Sequence, residues 1–469
     1  MEVKQLYTNC LAQGAYYIAH NGEAAIIDPL RETAPYLQML KDNGDKLKYI
    51  FETHFHADFV SGHVDLAKAT GATIVFGPNA QTAYQSHIAT DNEVFKIGGL
   101  TLEVLHTPGH TLESSCFLLK NEAQQPVCVF TGDTLFIGDV GRPDLAIKSD
   151  LTQNDLAGML YDSLRNKLMT LPDEVIVYPA HGAGSACGKN MSKETFDTLG
   201  HQKEVNYALQ NISKEAFIKE LTTGILPAPN YFALNAAMNK TGYTNIDTVM
   251  AGGLKALSVA DFEALAQKDG TLVLDVRKAD DFAVGHVPGA LFIGIDGQFA
   301  PWVGTVIKDI RTQLLLITPE GREEETVKRL ARVGYDHTIG YLNGGFAAWQ
   351  QAGKKIATVE SITAEVFAER YASAENILDV RKPGEFEVGH LQAAASRPLD
   401  FIDEWMPTQS TDAHITLHCA GGYRSMIAAS VLLRNGFTRL TDVKGGYGAI
   451  SKVAALQPHV VAERTACAN

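Results

Sequence analysis

The sequence predicts an α/β protein of about three domains, the last two being copies of one parallel-sheet unit. Three observations carry that reading. The chain has 469 residues, well beyond the roughly 150 of an ordinary domain. Its second half contains a repeat, residues 256–356 recurring as 360–469. Its first half, residues 1–245, carries four apolar strand-like runs, each stopping at a polar cluster rich in histidine, aspartate, glycine or proline.

The repeat comes first, because it settles the organisation. Leu272 to Lys278 (LVLDVRK) returns as Asn376 to Lys382 (NILDVRK), and Asp281 to His286 (DFAVGH) as Glu385 to His390 (EFEVGH). Asn343 to Trp349 (NGGFAAW) returns as Lys444 to Ile450 (KGGYGAI). Each copy alternates short runs such as Leu314–Thr318 or Ile415–His418 with helix-like stretches, the pattern of a parallel sheet with crossover helices. The Gly-, Thr- and Asn-rich segment 239–253 reads as the linker from the first domain.

Composition narrows the function classes. With 45% hydrophobic and 20% charged residues the chain is of soluble globular type. A net charge of -14 argues against nucleic acid or acidic lipid as the main partner. No apolar run approaches the roughly 18 residues of a membrane span, and Met1 leads straight into folded-looking sequence rather than a secretory leader. The six cysteines show no paired spacing, which fits a reducing, cytoplasmic setting. Cys116 and Cys128 lie in apolar runs and read as core thiols, whereas Cys187 and Cys419 lie in loops.

In the first domain Leu47–Phe51 stops at Thr53–His63 (THFHADFVSGH), Leu102–Leu105 at His106–His110 (HTPGH), Pro126–Phe130 at Thr131–Asp133 (TGD), and Val175–Tyr178 at Pro179–Gly182 (PAHG). Strand ends along one sheet edge can converge, so His54, His56, His110, Asp133 and His181 are expected around one point as a metal site. These motifs, in this order, resemble the metallo-β-lactamase fold. The resemblance implies an αββα sandwich with the metal at a sheet edge.

Two-metal hydrolases of that fold place a histidine directly after the aspartate of the first motif. Here Phe59 stands there and cannot ligate. The pattern resembles instead the persulfide dioxygenase branch, which implies one Fe(II) per chain on His54, His110 and Asp133. Two imidazoles and a carboxylate leave positions open for substrate sulfur and O2, and His56, Asp58 and His181 become orienting groups or alternative ligands. The rival assignment is zinc on His54, His56 and His110 in a glyoxalase II-like thioesterase. By the same resemblance Arg142 pairs with a substrate carboxylate, its planar fork suiting that group; the alternative is a structural arginine. Cys187, in a glycine-rich loop, either touches substrate or is a packed thiol.

The second repeat copy holds Cys419 to Ser425 (CAGGYRS) between a strand and a helix-like run. Backbone N–H groups around Gly421 and Gly422, with the helix N-terminus, favour a thiolate or persulfide anion on Cys419. With Asp379, Arg381 and His390 upstream, this resembles a rhodanese sulfurtransferase, in which Arg424 stabilises the sulfur anion; Asp379 and Arg381 are expected as a structural pair. In the first copy Thr318 replaces Cys419 and Glu323 replaces Arg424, so that copy is expected to be inactive. The three-domain order is similar to bacterial persulfide dioxygenase–sulfurtransferase fusions. The expected partners are a glutathione or coenzyme A persulfide, O2, sulfite and thiosulfate, in a chain that associates with itself.

Overall fold

The computed structural model describes residues 1–145, 151–225, 228–229 and 231–462. The chain divides into two units. The first comprises Met1–Thr248 with Lys308–Ile310 and Lys328–Asp336; the second comprises Val249–Ile307, Arg311–Val327 and His337–Asn469.

Two six-stranded sheets face each other in the first unit. One runs Glu2–Thr8, Gln13–His20, Glu23–Ile27, Lys46–Glu52, Thr73–Phe76, His87–Ile88 in spatial order. The other runs Asp197–Thr198, Ile176–Pro179, Pro126–Gly132, Ser115–Lys120, Leu100–His106, Val94–Ile97. Strand periodicity divides the side chains between two layers. Tyr16, Ile18, Phe51, Phe117, Cys128 and Phe130 fill the space between the sheets. Their sequence neighbours Tyr17, Ala19 and Ile50 pack outward with Tyr36, Leu40 and Leu66 of the helices Ala34–Asn43 and His63–Thr70. On the opposite side Cys116, Leu118 and Val129 meet Leu156-flanking residues Ala157 and Leu160 of the helix Gln153–Ser163. The result is the expected αββα sandwich. Burial pushes the thiol of Cys116 up to about 11 and that of Cys128 to about 12, as befits core thiols.

In the second unit each repeat copy forms its own five-stranded parallel sheet, and the two share one strand order. The first is Ala256–Leu257, Thr338–Leu342, Gln313–Ile317, Thr271–Asp275, Leu291–Phe292. The second is Glu360–Ile362, Leu440–Val443, Ile415–His418, Ile377–Asp379, Ala395–Ser396. The central strands are buried on both faces, which is why they read as unbroken apolar runs.

One expectation needs correction. The segment expected as a linker is largely helical, in Tyr231–Thr241 and Ile246–Gly253. Its polarity is internal: the buried side chain of Asn239 binds main-chain groups of the first unit. Lys328–Asp336, which by sequence falls in the first repeat copy, belongs to the first unit. There the buried Arg31 donates to both oxygens of Asp336 (2.5 and 2.7 Å) and to the carbonyls of Ala331 and Thr244. The Val60 amide donates to the carbonyl of Arg332 at 2.7 Å. Among the described residues no helix is long and apolar enough to cross a membrane.

Candidate functional site

The four polar clusters of the first unit do converge, although not along one sheet edge as expected. His54 follows the strand Lys46–Glu52 of one sheet, while His110, Asp133 and His181 follow Leu100–His106, Pro126–Gly132 and Ile176–Pro179 of the other. Facing sheet ends bring the groups together. Gly132, at φ 52, turns the chain towards Asp133, and a Cβ there would meet Thr53 at 2.6 Å.

One set of donor atoms gathers His54, His110 and Asp133; a neighbouring set gathers His56, Asp58 and His181. All six side chains are buried. Asp133 Oδ2 lies 3.4 Å from His110 Nε2 and 3.9 Å from His54 Nε2. Among the described residues neither oxygen of Asp133 has a hydrogen-bond partner. A buried carboxylate without a partner is strongly unfavourable, and a cation is the group that compensates it. The residues present therefore fit a metal.

Hydrogen bonds on the far ring nitrogens select the ligand atoms. His110 Nδ1 donates to the carbonyl of Arg142 at 2.8 Å, leaving Nε2 to face Asp133. His54 Nδ1 lies 3.0 Å from Thr53 Oγ1, whose hydroxyl donates to Asp28 at 2.8 Å. Burial, and then the neighbouring imidazoles of His56, His110 and His181, hold His54 well below the usual histidine range, so it is a neutral donor. His56 behaves differently. Burial pulls its pKa down, but Asp28 at 3.0 Å and Glu52 at 3.5 Å outweigh that and raise it to about 9. Its Nε2 lies against the carboxylates of Asp28 and Glu52.

Phe59 stacks beside His56 with ring centroids 4.4 Å apart, so an apolar ring stands where a second metal would seek a ligand. His181 Nε2 sits 3.4 Å from Asp58 and 3.6 Å from Asp133. Cys187 joins Asp133 and His181 in a third set. Burial, followed by Asp58 and Asp133, pushes its thiol well above the usual range, so it is a neutral thiol within the centre and not a solvent-facing nucleophile.

Arg142 is paired within its own chain. Its fork is bound at 2.6 and 2.7 Å by Asp144, which lines the adjoining cavity; the arginine itself is buried behind it. Its carbonyl orients His110. That cavity has a volume of about 500 Å³ and is lined by Phe55, Thr111, Glu113, Asp144, Phe232 and Lys240, among others. Asn239 is the functional residue that sequence reasoning missed. It donates to the carbonyls of His56 and Phe59 at 2.8 Å and accepts from the Ser61 amide at 2.9 Å, fixing the metal-motif loop.

In the second unit Cys419 follows the strand Ile415–His418, and the Gly422 amide, at the start of the helix Tyr423–Arg434, donates to its sulfur at 3.1 Å. Ser425 Oγ lies 3.6 Å from the same atom. Arg424 is paired bidentately with Glu385 at 2.6 and 2.7 Å, within Coulombic range of Cys419. Asp379 and Arg381 form a buried pair, repeated by Asp275 and Arg277 in the other copy. In that copy Thr318 donates to Glu323 at 3.1 Å, filling the loop with a carboxylate where an anion would bind.

Comparisons with known proteins divide along the same lines. The model of the metallo-beta-lactamase superfamily matches residues 9–181, and that of the rhodanese-like domain matches 258–352 and 363–452. The chain is 33% identical over 220 residues to the mitochondrial persulfide dioxygenase ETHE1 of Homo sapiens, covering 46% of this chain and 78% of the relative. It is 34% identical over 162 residues to a probable hydroxyacylglutathione hydrolase of Schizosaccharomyces pombe, covering 34% and 59%. A metallo-beta-lactamase of Staphylococcus aureus superposes with a TM-score of 0.65 at 29% identity, over 73% of this chain and 99% of that one.

Proposed function

The chain belongs to the metallo-beta-lactamase superfamily, in a persulfide dioxygenase-like form with rhodanese-like domains attached, and from that membership we propose that it oxidises a low-molecular-weight thiol persulfide and transfers sulfane sulfur through Cys419. The observation that carries the first half is the set His54, His110 and Asp133, with both Asp133 oxygens unpartnered among the described residues and His56 Nε2 against Asp28 and Glu52.

Two imidazoles and one carboxylate suit Fe(II), which when bound supplies the redox step joining O2 to the terminal sulfur. The chain's own residues do the rest. Asp133, His54 and His110 hold the ion, and the Arg142 carbonyl and Thr53 fix the two rings. Phe59 denies a second metal its ligand and keeps that side apolar. The cavity beside Phe55 and Phe232 holds the carrier thiol, with Lys240 for a carboxylate and Glu113 or Asp144 for an ammonium group. One persulfide, one O2 and one water give the free thiol, sulfite and two protons.

Sulfite is a nucleophile towards sulfane sulfur. Cys419 persulfide and sulfite give thiosulfate and the free cysteine, and the reverse loads Cys419 from thiosulfate. Fusion keeps the two activities at a high effective concentration. Metal analysis with O2 uptake on glutathione persulfide tests the first half. Iron near one equivalent with O2 consumption is expected; zinc without uptake, and thioester hydrolysis in its place, would establish the hydrolase reading suggested by the fission-yeast relative.

A further inference from the structure

The loop that holds Cys419 is fixed from two sides. Its own copy supplies one: the Tyr447 and Gly448 amides donate to the carbonyls of Cys419 and Ala420 at 2.6 and 3.0 Å. The other side is the helix Tyr423–Arg434, preceded by Gly422, whose amide donates to Cys419 Sγ at 3.1 Å. That helix is docked on the copy without the cysteine, and the segments that meet there all belong to the second unit. Tyr423 Oη donates to the carbonyl of Gly294 at 2.7 Å, Ser430 Oγ accepts from the Phe292 amide at 3.0 Å, and Arg434 donates to the carbonyl of Gly289. Residues 423, 430 and 434 share one face of the helix. The ring of Tyr423 also meets that of Phe292 edge-on, with centroids 6.0 Å apart. Glycines make room for it: a Cβ on Gly297 would collide with three carbons of the Tyr423 ring, and one on Gly294 would lie 3.1 Å from the same ring. Gly297 has no positive φ, so the ring and not the backbone excludes a side chain there. The two copies pair alike at this edge, Phe292 with Asp275 and Ser396 with Asp379. In that register Pro398 and Phe401 stand in the Cys419 copy where Gly294 and Gly297 stand in the other, so the glycines are no part of the shared fold.

We infer that the copy without the cysteine is the second half of the sulfur-transfer site, and that Tyr423 is the positioning residue through which it holds the Gly422 amide on Cys419. The inference rests on the sulfurtransferase reading of this loop. In loading, the Cys419 thiolate attacks the outer sulfur of thiosulfate, a new S–S bond forms, and the old one breaks with its pair leaving on sulfite. The attacking thiolate and the persulfide it becomes are both anions, and an amide favours them only while it stays aimed at the sulfur. Gly421 and Gly422 leave the loop backbone little steric restraint of its own. Tyr423, next in sequence, is where the chain is tied to a neighbouring surface. Ser425 Oγ, 3.6 Å from the same sulfur, is carried by the same helix. The charged groups around the loop take no part in this anchor. Arg424 is paired with Glu385, Arg381 with Asp379 and Lys444 with Asp280, and the buried His418 lies 3.9 Å from Asp379.

The test uses the full chain and follows persulfide formation on Cys419 from thiosulfate by intact-protein mass spectrometry, at about pH 7 and about pH 9.5. Tyr423→Phe keeps the ring and loses the bond to Gly294, and should slow loading at the lower pH by roughly 10-fold. Gly297→Ala, more than a hundred residues from Cys419 in the sequence, should displace the ring and slow it by roughly 10²-fold. At the higher pH, above the ordinary thiol value of about 8.5, both variants should approach the wild-type rate, because the thiolate then forms without the amide's help. A mere loss of folded protein would lower the rate equally at both. Gly297→Ala combined with Tyr423→Ala should be no slower than Tyr423→Ala alone, since the ring that the new Cβ meets is gone. Loading by Tyr423→Phe and Gly297→Ala at the wild-type rate overturns the inference, and so does a slowing that is equal at both pH values or additive in the double variant. A wild-type chain that takes no sulfur from thiosulfate overturns the sulfurtransferase reading itself, whereas normal uptake with unaffected variants removes the anchor alone.

Discussion

Asp336→Ala removes the carboxylate from a guanidinium that has no solvent to turn to. The Arg31 side chain is 0% exposed and that of Asp336 only 10%. Breaking a buried pair by deleting one partner costs about 3–5 kcal/mol, mainly because the survivor stays buried and charged. Arg31 keeps the carbonyls of Ala331 and Thr244 and lies over the ring of Tyr243 at 5.1 Å. The low end, about 3 kcal/mol, is therefore the expected loss, equivalent to roughly 10²-fold in a local opening equilibrium. The natural reporter is the amide of Val60, which donates to Arg332 within the same segment. Hydrogen exchange of the full chain should show Val60 and its neighbours in the metal-motif loop exchanging roughly 10²-fold faster in Asp336→Ala. The strand Gln313–Ile317 of the other unit should keep its protection. Replacing both partners by apolar residues, Arg31→Met with Asp336→Leu, should restore most of the loss by removing the charge. An acceleration at Val60 below about threefold, or one shared equally by Gln313–Ile317, would refute the view that Lys328–Asp336 steadies the metal loop.

Three further outcomes follow from the geometry. In Gly141→Ala the new Cβ would meet the carbonyl oxygen of Asp133 at 2.0 Å and His110 Nδ1 at 2.9 Å, so metal affinity should fall by about 10–100-fold in a chelator competition while the fold persists. Phe59→His places an imidazole beside Asp58 and His181, so metal analysis of zinc-loaded protein should rise from about one equivalent towards about two, and O2 uptake should fall. Asp442 titrates at about 6, above the ordinary carboxylate value of 3.8, so it disfavours the fold once ionised. Its contribution is intact below about pH 4 and lost as pH rises through about 6, by up to about 3 kcal/mol. Asp442→Asn should thus gain stability relative to wild type over that interval, read by urea unfolding at Trp302, Trp349 and Trp405, which all lie in the second unit.

What the sequence disclosed was what chemistry writes locally. The repeat survives as two sheets of identical strand order because alternating apolar runs and crossover helices are short-range patterns. Each histidine or aspartate of the converging clusters could be found because a buried strand must end at a polar turn. Spacing alone did not say that the ends come from two facing sheets. Nor did it distinguish His54 from His56, two residues apart in one motif. In the structure Asp28 and Glu52, from other parts of the first sheet, approach His56 Nε2 at 3.0 and 3.5 Å. Arg142 shows the same limit: a fork suited to a carboxylate found one, but the carboxylate was Asp144 of its own chain.

The residues that sequence reading missed share a physical character. Asn239 and Asp336 are polar and largely buried, and each acts through a hydrogen bond to a residue that no periodicity places beside it. A buried polar side chain without a reason is expensive, so each marks a place where the fold uses a hydrogen bond instead of an apolar contact. Asn239 and Asp336 fix the loop that carries His54 and His56, one through the carbonyls of His56 and Phe59, the other through Arg31. If metal chemistry needed only its reacting atoms, Asn239 could be leucine. Their polarity is the part of the site that no motif carries, and it is where substitution should separate loss of activity from loss of fold.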